Sequence, residues 1–361
     1  MKYYQSKPRL LFLYTELAGY FIACLKKLYE INDVEILVIH WNINNEAPFH
    51  FSFPENIEFC PKNSFNFNQL SEKVKSFNPD FIYCSGWIDK DYLKVISTFK
   101  KRIPTVIALD TPWQNRLRQY VACVISRFTL LKIFTHCWAT GERQKKYALK
   151  LGFKKKNIIL GMYSADVEYY NRIGLNCKDE KSRHFPKRFI YVGRYSPSKG
   201  LLDLWAAFKQ WKHETGGEWE LWCLGTGDIK PMESDGISHF GFVQPADMEK
   251  FIKETGIFIL PSHFEPWGVA LHEYTAAGFP VICSDNVCAT EKFVQNGKNG
   301  FIYPSGNIQE LKACIRTITQ KNDKELMQMG ELSRQLSQSI TPLTWSKNIM
   351  NLLSDNKNER K

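Results

Sequence analysis

The sequence predicts an α/β protein built from two doubly wound domains, each with a parallel sheet covered by helices. Short apolar runs recur along the 361 residues, as buried parallel strands require. The segments between these runs have helical spacing. This alternation occurs twice, before and after a polar stretch at 171–187 that lacks periodicity, so the stretch is predicted to be a linker between two domains.

The apolar runs give the following predicted elements. In the first half, strands are expected at 10–15, 34–41, 80–87, 105–110 and 137–140, with helices at 18–30, 67–77 and 113–132. In the second half, strands are expected at 189–194, 219–225, 238–243, 257–262, 280–285 and 300–305, with helices at 199–215, 245–255, 267–277, 308–320 and 323–338. The predicted domains are therefore 1–170 and 188–340, followed by a terminal helix and a polar tail at 341–361.

Composition excludes several classes of protein. The chain is 44% hydrophobic and 24% charged, which is typical of a globular protein. No signal peptide and no apolar run long enough to span a bilayer is evident. The ten cysteines are scattered without a CxxC pair, which favours reduced thiols and a cytoplasmic location. No basic–aromatic recognition motif appears, so nucleic acid is not expected as a partner.

The net positive charge arises entirely from the first half of the chain. Residues 1–184 contain 28 Lys and Arg against 17 Asp and Glu, whereas residues 185–361 contain 20 of each. Such an asymmetry favours an anionic surface or partner for the first half, including peripheral association with an anionic membrane. A basic surface that only keeps the protein soluble is the alternative.

The segment 113–132 repeats large apolar residues at steps of three and four. The stripe consists of Trp113, Leu117, Tyr120, Val121, Val124, Phe128 and Leu131, and four basic residues are interspersed. A basic amphipathic helix of this kind can lie on a membrane. A helix packed on its own sheet has the same stripe, and this second interpretation is favoured.

The first chemical motif is GRYSPSKG at 193–200, between a predicted strand and a predicted helix. Gly193 permits a sharp turn, Arg194 offers a planar charged fork for phosphate oxygens, and Lys199 adds a second cation. The free N–H groups of a helix N-terminus also attract anions. The motif therefore predicts a diphosphate site at the carboxyl end of a strand. A turn with two solvated basic residues is the structural alternative.

The second motif is EPWGVALHE at 265–273. Pro266 favours the first helical position, so Glu265 is expected at the mouth of a helix and Glu273 about 12 Å further along it. That spacing suits two contacts with one extended ligand better than an acid/base pair. Gly268 leaves room for backbone N–H groups to approach the ligand. The alternatives are a carboxylate stabilised by the helix dipole and an exposed helix residue.

These two motifs resemble the GR-x4-KG and E-x7-E signatures of retaining GT-B glycosyltransferases, and GFPVICSDNVCATEKFVQNGKNGFIYPSGN is similar to the stretch that follows them in glycosyltransferase family 4. The likeness covers about 185–345 well and the first half loosely. It implies the GT-B fold, in which two Rossmann-like domains face each other across a cleft, and a nucleotide-diphosphate sugar as donor.

The resemblance also implies roles for individual residues. Arg194 and Lys199 match the pair that holds the donor diphosphate, Glu265 the contact to the donor sugar, and Glu273 the contact to the ribose. Backbone positions around the donor correspond to Gly193, Gly225, Gly227, Gly241–Val243, Pro266, Gly268, Val269 and Ala270. Asp166 is similar to the aspartate of an N-G-V-D segment.

The first half departs from the family pattern at two places. Only Gly19 matches the usual Gly-Gly loop after the first strand, and Asp110 stands where many members carry a histidine. Asp110 is a candidate catalytic residue on the acceptor side. It is alternatively a polar residue of the cleft or the cap of the helix that starts near Trp113. His136 is a second candidate, although a histidine that opens a strand is more often structural.

The resemblance therefore implies a hexosyltransferase that acts with retention. The cations and the helix N-terminus stabilise the leaving diphosphate, so no metal and no cofactor are predicted. The acceptor is expected to be a glycan or a lipid-linked saccharide, in surface polysaccharide biosynthesis. Two alternatives are an inactive glycosyltransferase-like binding protein and a nicotinamide-dependent oxidoreductase. No GxGxxG follows the first strand, which argues against the latter.

Retention of the anomeric configuration and transfer without a metal are thus expectations that follow from the resemblance. They concern the same few residues: Arg194 and Lys199 beside the leaving group, and Glu265 beside the sugar.

Overall fold

The computed structural model describes residues 7–42, 49, 51–99 and 102–358. The described chain forms two compact units. The first contains the residues up to Ser164 together with those from Pro342 onward, and the second is Ala165–Thr341. Each unit has one sheet of parallel strands with helices between them, so the predicted α/β class with two Rossmann-like units is confirmed.

The first unit holds a seven-stranded sheet with the order β3-β2-β1-β4-β5-β6-β7. Its elements are β1 (Arg9–Tyr14), α1 (Gly19–Ile31), β2 (Glu35–His40), β3 (Glu58–Pro61), α2 (Phe67–Phe77), β4 (Phe81–Cys84), α3 (Lys90–Ser97), β5 (Thr105–Leu109), α4 (Leu117–Ser126), α5 (Leu130–Ile133), β6 (His136–Ala139), α6 (Glu142–Leu151) and β7 (Ile158–Leu160). The central strand β1 is apolar on both faces, as a strand covered on both sides must be.

The second unit holds a six-stranded sheet with the order β10-β9-β8-β11-β12-β13. Its elements are α7 (Val167–Asn176), α8 (Lys178–Arg183), β8 (Arg188–Val192), α9 (Leu201–Thr215), β9 (Glu220–Leu224), β10 (Ile237–His239), α10 (Met248–Glu254), β11 (Ile257–Leu260), α11 (Val269–Ala276), β12 (Val281–Ser284), α12 (Thr290–Phe293), β13 (Gly300–Tyr303), α13 (Ile308–Thr319) and α14 (Asp323–Ser337). Aromatic and aliphatic side chains of α9 form much of its core.

The last helix, α15 (Pro342–Asn358), packs on the first unit rather than on the second. Trp345 stacks on Trp138 with ring centroids 5.2 Å apart, and its indole N–H donates to the carbonyl of Met162 at 3.0 Å. The polar tail predicted from 355 onward is helical as far as Asn358, and 359–361 lie outside the described residues. The terminal helix therefore belongs to the core of the first unit.

The structure differs from the prediction of a linker at 171–187. This stretch is largely helical and lies within the second unit, whose first described residue is Ala165. Gly174 packs so closely that an added Cβ would lie 2.1 Å from the carbonyl oxygen of Ala277. Lys181 is buried and donates to the carbonyl of Thr255 at 2.7 Å. The polar composition of residues 171–187 gives no indication of these long-range contacts.

Burial lowers the pKa of the Lys181 amine to about 7. Because the unfolded chain then binds more protons than the folded chain between pH 7 and the usual lysine pKa, the free energy of unfolding should rise with pH in that window. We expect Lys181→Met to lose this rise, so that its stability relative to the parent falls by roughly 2 kcal/mol between pH 7 and pH 9. Urea titrations at both pH values measure the difference.

Lys178→Met is the matched control, since Lys178 lies on the same helix and forms an exposed pair with Glu331. This control should change stability equally at both pH values. Parallel pH profiles of the parent and Lys181→Met would contradict the assignment of a neutral buried amine.

Two further findings concern the whole described chain. All ten cysteines are free, and seven of them are buried. Within the described ranges, no helix combines the length and apolar character needed to cross a membrane.

Candidate functional site

The candidate site of the second unit lies where its strand order reverses. The chain continues from β8 to β9 on one side of the sheet and from β11 to β12 on the other side. Open parallel sheets bind ligands beyond the carboxyl ends of the two strands at such a reversal. The loop after β8 carries Arg194 and Lys199, and the loop after β11 carries Glu265. The fold therefore brings the two predicted motifs to one edge of one sheet.

Direct hydrogen bonds fasten these two loops together. The backbone N–H groups of His263 and Phe264 both donate to the carbonyl of Ser198, at 2.8 and 3.2 Å. Gly200 has a φ of 65°, and an added Cβ would lie 2.1 Å from the carbonyl oxygen of Pro261. Glycine is required here both by the left-handed backbone and by this close approach. The loops thus hold their side chains in a fixed relation.

Lys199 and Glu265 form an ion pair at the centre of the site. Both side chains are largely shielded from solvent, and the hydroxyl of Ser262 donates to the same carboxylate oxygen of Glu265 at 3.4 Å. The Glu265 backbone is held as well, because its N–H donates to Asn286 at 3.2 Å and its carbonyl accepts from Cys288 at 3.1 Å. A cation and a carboxylate therefore lie side by side, held by the two loops.

Three glycines of the loops after β8 and β9 pack tightly against neighbouring groups. An added Cβ on Gly225 would lie 1.9 Å from the carbonyl oxygen of Gly193, and one on Gly227 would lie 2.4 Å from that of Tyr195. Gly193 was predicted to permit a sharp turn, but its backbone is not left-handed. Its lack of a side chain instead accommodates the hydroxyl of Tyr191, which would be 2.8 Å from a Cβ.

Helix α11 begins later than the sequence predicted. Its N-cap is Gly268, with a φ of 106°, and the first helical residue is Val269. Pro266 therefore lies in the preceding loop and not at the first helical position. The left-handed glycine explains the difference, because it reverses the chain immediately before the helix. Val269 and Ala270 form the first turn, where free backbone N–H groups are available.

Glu273 lies on the same helix and is partly buried. Burial raises the pKa of its carboxyl to about 7, while a hydrogen bond with the hydroxyl of Tyr170 opposes the shift and the charge of Asp166 adds to it. Asp166 also caps α7, since its carboxylate accepts from the N–H of Tyr169 at 3.1 Å. Glu273 is thus a carboxylate held in a poorly solvated position rather than an exposed helix residue.

The remaining predicted positions of this unit lie around the same loops. Arg194 is exposed, and its carbonyl accepts from the Tyr191 hydroxyl at 2.8 Å. Val243 is partly buried, two residues after Gly241, whose carbonyl accepts from the N–H of Gly225 at 2.7 Å. A backbone hydrogen bond therefore connects the 241–243 segment to Gly225 in the loop after β9.

Two predicted positions, Gly19 and Asp110, belong to the first unit. Gly19 opens α1 after β1, and Asp110 follows β5. The Asp110 carboxylate accepts from the hydroxyls of Tyr163 at 3.3 Å and Thr111 at 3.2 Å. Its suggested role as a helix cap is wrong, because α4 begins only at Leu117 and has Arg116 as its N-cap. Asp110 is thus a polar residue at the carboxyl end of a strand.

Two histidines, the acceptor-side candidate His136 and the unpredicted His272, make structural contacts. The His136 ring nitrogen lies 2.8 Å from the Thr135 hydroxyl at the start of β6. Buried His272 accepts from the N–H of Ala165 at 3.1 Å and donates to the carbonyl of Ser337 at 2.9 Å, and burial lowers its pKa to about 4. Nothing in the local sequence of His272 indicates these distant partners.

Asp89 and Asp91 form an Asp-x-Asp triplet, contrary to the expectation that the chain has no such pair to hold a metal. Asp89 is buried and accepts from the amine of Lys62 at 2.6 Å and from the indole of Trp41 at 2.7 Å. It also caps α3 through the N–H groups of Asp91 and Tyr92. These contacts give the triplet a structural role in the first unit.

Comparison with known proteins finds a class that the second unit resembles. Residues 176–336 match the family model of the glycosyl transferases group 1. The matched segment contains Arg194, Lys199, Glu265 and Glu273. The match covers most of the second unit but less than half of the chain.

Individual relatives support this class. The chain is 29% identical over 160 residues to the amylovoran biosynthesis glycosyltransferase AmsK of Erwinia amylovora, covering 40% of this chain and 39% of AmsK. It is 24% identical over 281 residues to the capsular polysaccharide biosynthesis glycosyltransferase CapM of Staphylococcus aureus, covering 66% and 72%. The chain spans between 32% and 39% of the length of the first relatives it matches.

Solved structures match over nearly the whole chain. The crystal structure of Anabaena Alr3699/HepE in complex with UDP and glucose has a TM-score of 0.69 at 17% identity, covering 95% of this chain and 99% of that one. A glycosyltransferase from Rickettsia africae has a TM-score of 0.73 at 14% identity, covering 98% and 99%. At these identities the likeness establishes the GT-B fold of the chain.

Proposed function

We propose that this protein is a retaining glycosyltransferase that transfers a hexose from a nucleotide-diphosphate sugar to a saccharide or a lipid-linked saccharide. The observation that carries the proposal is the ion pair of Lys199 and Glu265, held by two fastened loops at the reversal of strand order. The complex of HepE with UDP and glucose supports a donor of this class. The names of AmsK and CapM support a role in polysaccharide biosynthesis.

The ion pair of Lys199 and Glu265 explains how the site can bind a charged donor and remain stable before the donor binds. An unpaired charge in a shielded position is costly, so each side chain neutralises the other in the unliganded protein. When the donor binds, Lys199 exchanges its carboxylate partner for a phosphate oxygen. Glu265 is then released to accept hydrogen bonds from sugar hydroxyls.

Cleavage of the sugar–phosphate bond leaves positive charge on the anomeric carbon and negative charge on the departing diphosphate. Lys199 and Arg194 stabilise the diphosphate, and the first turn of α11 adds backbone N–H groups. These groups supply the stabilisation that a metal supplies elsewhere, so we propose transfer without a metal. Glu273 holds the ribose, and Asp110 acts on the acceptor bound by the first unit.

The proposal is tested by incubating the purified protein with a panel of nucleotide-diphosphate sugars, with and without a chelator. We expect release of the nucleoside diphosphate from at least one donor, unchanged by the chelator, and a product with the anomeric configuration of the donor by NMR. Asp110→Asn should lower transfer without lowering donor affinity. Failure of every donor to bind would refute the donor site, and an inverted product would refute retention.

A further inference from the structure

Helix α4 exposes its large apolar side chains and turns its small and polar ones inward. Leu117, Val124 and Phe128 are 79%, 64% and 67% exposed, and Tyr120, Val121 and Ile125 are exposed as well. These six residues recur at steps of three and four, so they share one face of α4 and of the turn that continues it. Five of the seven residues of the predicted stripe therefore face solvent, whereas Trp113 and Leu131 pack against the core as expected.

The inward face of α4 is fixed by hydrogen bonds rather than by large apolar contacts. Gln119 is buried and its amide donates to the carbonyl of Pro112 at 2.9 Å. Ser126 is buried and donates to the carbonyl of Leu151 at 2.6 Å. Ala122 and Cys123 pack against the core between them. Because both ends of this face are anchored, the helix cannot rotate to bury its apolar stripe without breaking these bonds.

Basic residues border the exposed stripe on both sides. Arg116, Arg118, Arg127 and Lys132 are all exposed, and no acidic residue occurs between Asp110 and Glu142. At about 100° per residue, Arg118 flanks one side of the stripe and Arg127 the other. Long basic side chains in such positions can reach phosphate groups while the apolar residues between them insert. The flanking charge thus favours an anionic, apolar partner.

We propose that α4 is a membrane-docking helix, which lies in the plane of a bilayer that contains anionic lipids. Leu117, Val124 and Phe128 enter the boundary between headgroups and acyl chains, while Arg118 and Arg127 contact lipid phosphates. A contiguous apolar patch of this kind marks an interaction surface on a protein. The charge pattern selects a bilayer, since a second copy of this face would present the same positive charges to them.

The experiment measures binding of the full chain to sucrose-loaded vesicles by co-sedimentation, without nucleotide sugar. Vesicles of phosphatidylcholine with one quarter phosphatidylglycerol are compared with pure phosphatidylcholine. We expect binding to the anionic vesicles at low salt. The double variant Val124→Asp/Phe128→Asp should bind at least tenfold more weakly, and Arg118→Gln/Arg127→Gln about 25-fold more weakly, at roughly fivefold for each charge.

Leu175→Asp is the matched control, because Leu175 is an exposed apolar residue on α7 of the second unit. It should bind as the parent does. Absence of parental binding at low salt, or equal binding by Val124→Asp/Phe128→Asp, would overturn the proposal. A parent that is dimeric by sedimentation velocity and becomes monomeric in that variant would also overturn it, since a second copy would then cover the stripe. No donor is present, so the result is independent of the proposed transfer reaction.

Discussion

Replacing Lys199 by alanine is expected to lower kcat by about 10²- to 10³-fold, which corresponds to about 2.7–4 kcal/mol of transition-state stabilisation. The ammonium group is held beside Glu265 by loops whose backbones are fastened together, so its position is fixed before the donor arrives. Negative charge on the diphosphate is largest after the sugar bond has broken. A cation at this point therefore contributes more to kcat than to donor binding, and steady-state kinetics separate the two.

Two comparisons make this result specific. Lys209→Ala removes an exposed lysine from α9, the helix that begins two residues after Lys199, and should leave kcat and KM unchanged. Arg194→Ala should also lower kcat. The Lys199 variant leaves Glu265 without its cation, so its thermal unfolding must be recorded beside its kinetics. If both Arg194→Ala and Lys199→Ala retained full activity on the native donor, neither residue would serve the diphosphate.

The elements that sequence patterns predict well are those whose apolar character is local and continuous. Strands β8, β9, β11, β12 and β13 all lie within the predicted ranges to within one residue, because each is a predominantly apolar segment. Two strands were missed, namely β3 (Glu58–Pro61) and β7 (Ile158–Leu160). Both lie at the edges of the first sheet, are short and have no fully buried residue. Strand β3 lacks a continuous apolar run, and the apolar run of β7 is only three residues long.

The predictions that failed concern segments whose position is determined by contacts with residues far away in the sequence. Residues 171–187 are polar enough to suggest a linker, but the contacts of Gly174 and Lys181 bind them to the second unit. Helix α15 returns to the first unit through Trp345, which no local pattern indicates. The 113–132 segment has the periodicity of a packed helix, and only the tertiary structure shows that α4 turns this stripe to solvent.

For the candidate site, the sequence indicates individual residues but not the contacts between them. The motifs identify Lys199, Glu265 and Glu273, because charged groups at strand ends and helix starts are visible in the sequence. The direct pairing of Lys199 with Glu265 is not, since it depends on hydrogen bonds between two loops 66 residues apart. The contact of Glu273 with Tyr170 also joins distant segments, and it connects α7 to the candidate site of the second unit.

Replacing Glu273 by glutamine is expected to stabilise the protein and to weaken donor binding. Burial raises the pKa of this carboxyl to about 7, so the folded chain holds a proton that the unfolded chain has released between the usual glutamate pKa and pH 7. Parental stability therefore falls as pH rises through this window. Removing the charge should restore about 1–2 kcal/mol at pH 8 and less at pH 5, after allowance for partial exposure.

Donor affinity should change in the opposite direction, because an ionised carboxylate accepts stronger hydrogen bonds from the ribose hydroxyls than an amide does. We expect a loss of about 10- to 100-fold in Kd at pH 8, from the 1.5–3 kcal/mol typical of hydrogen bonds to charged groups. Glu249→Gln, an exposed carboxylate on α10, controls for charge alone and should alter neither quantity. Calorimetric titration and thermal unfolding of the same samples test the two effects together. If the variant is more stable but binds the donor as the parent does, Glu273 does not contact the ribose. If the variant binds the donor weakly without gaining stability, the Glu273 carboxylate of the parent is well solvated.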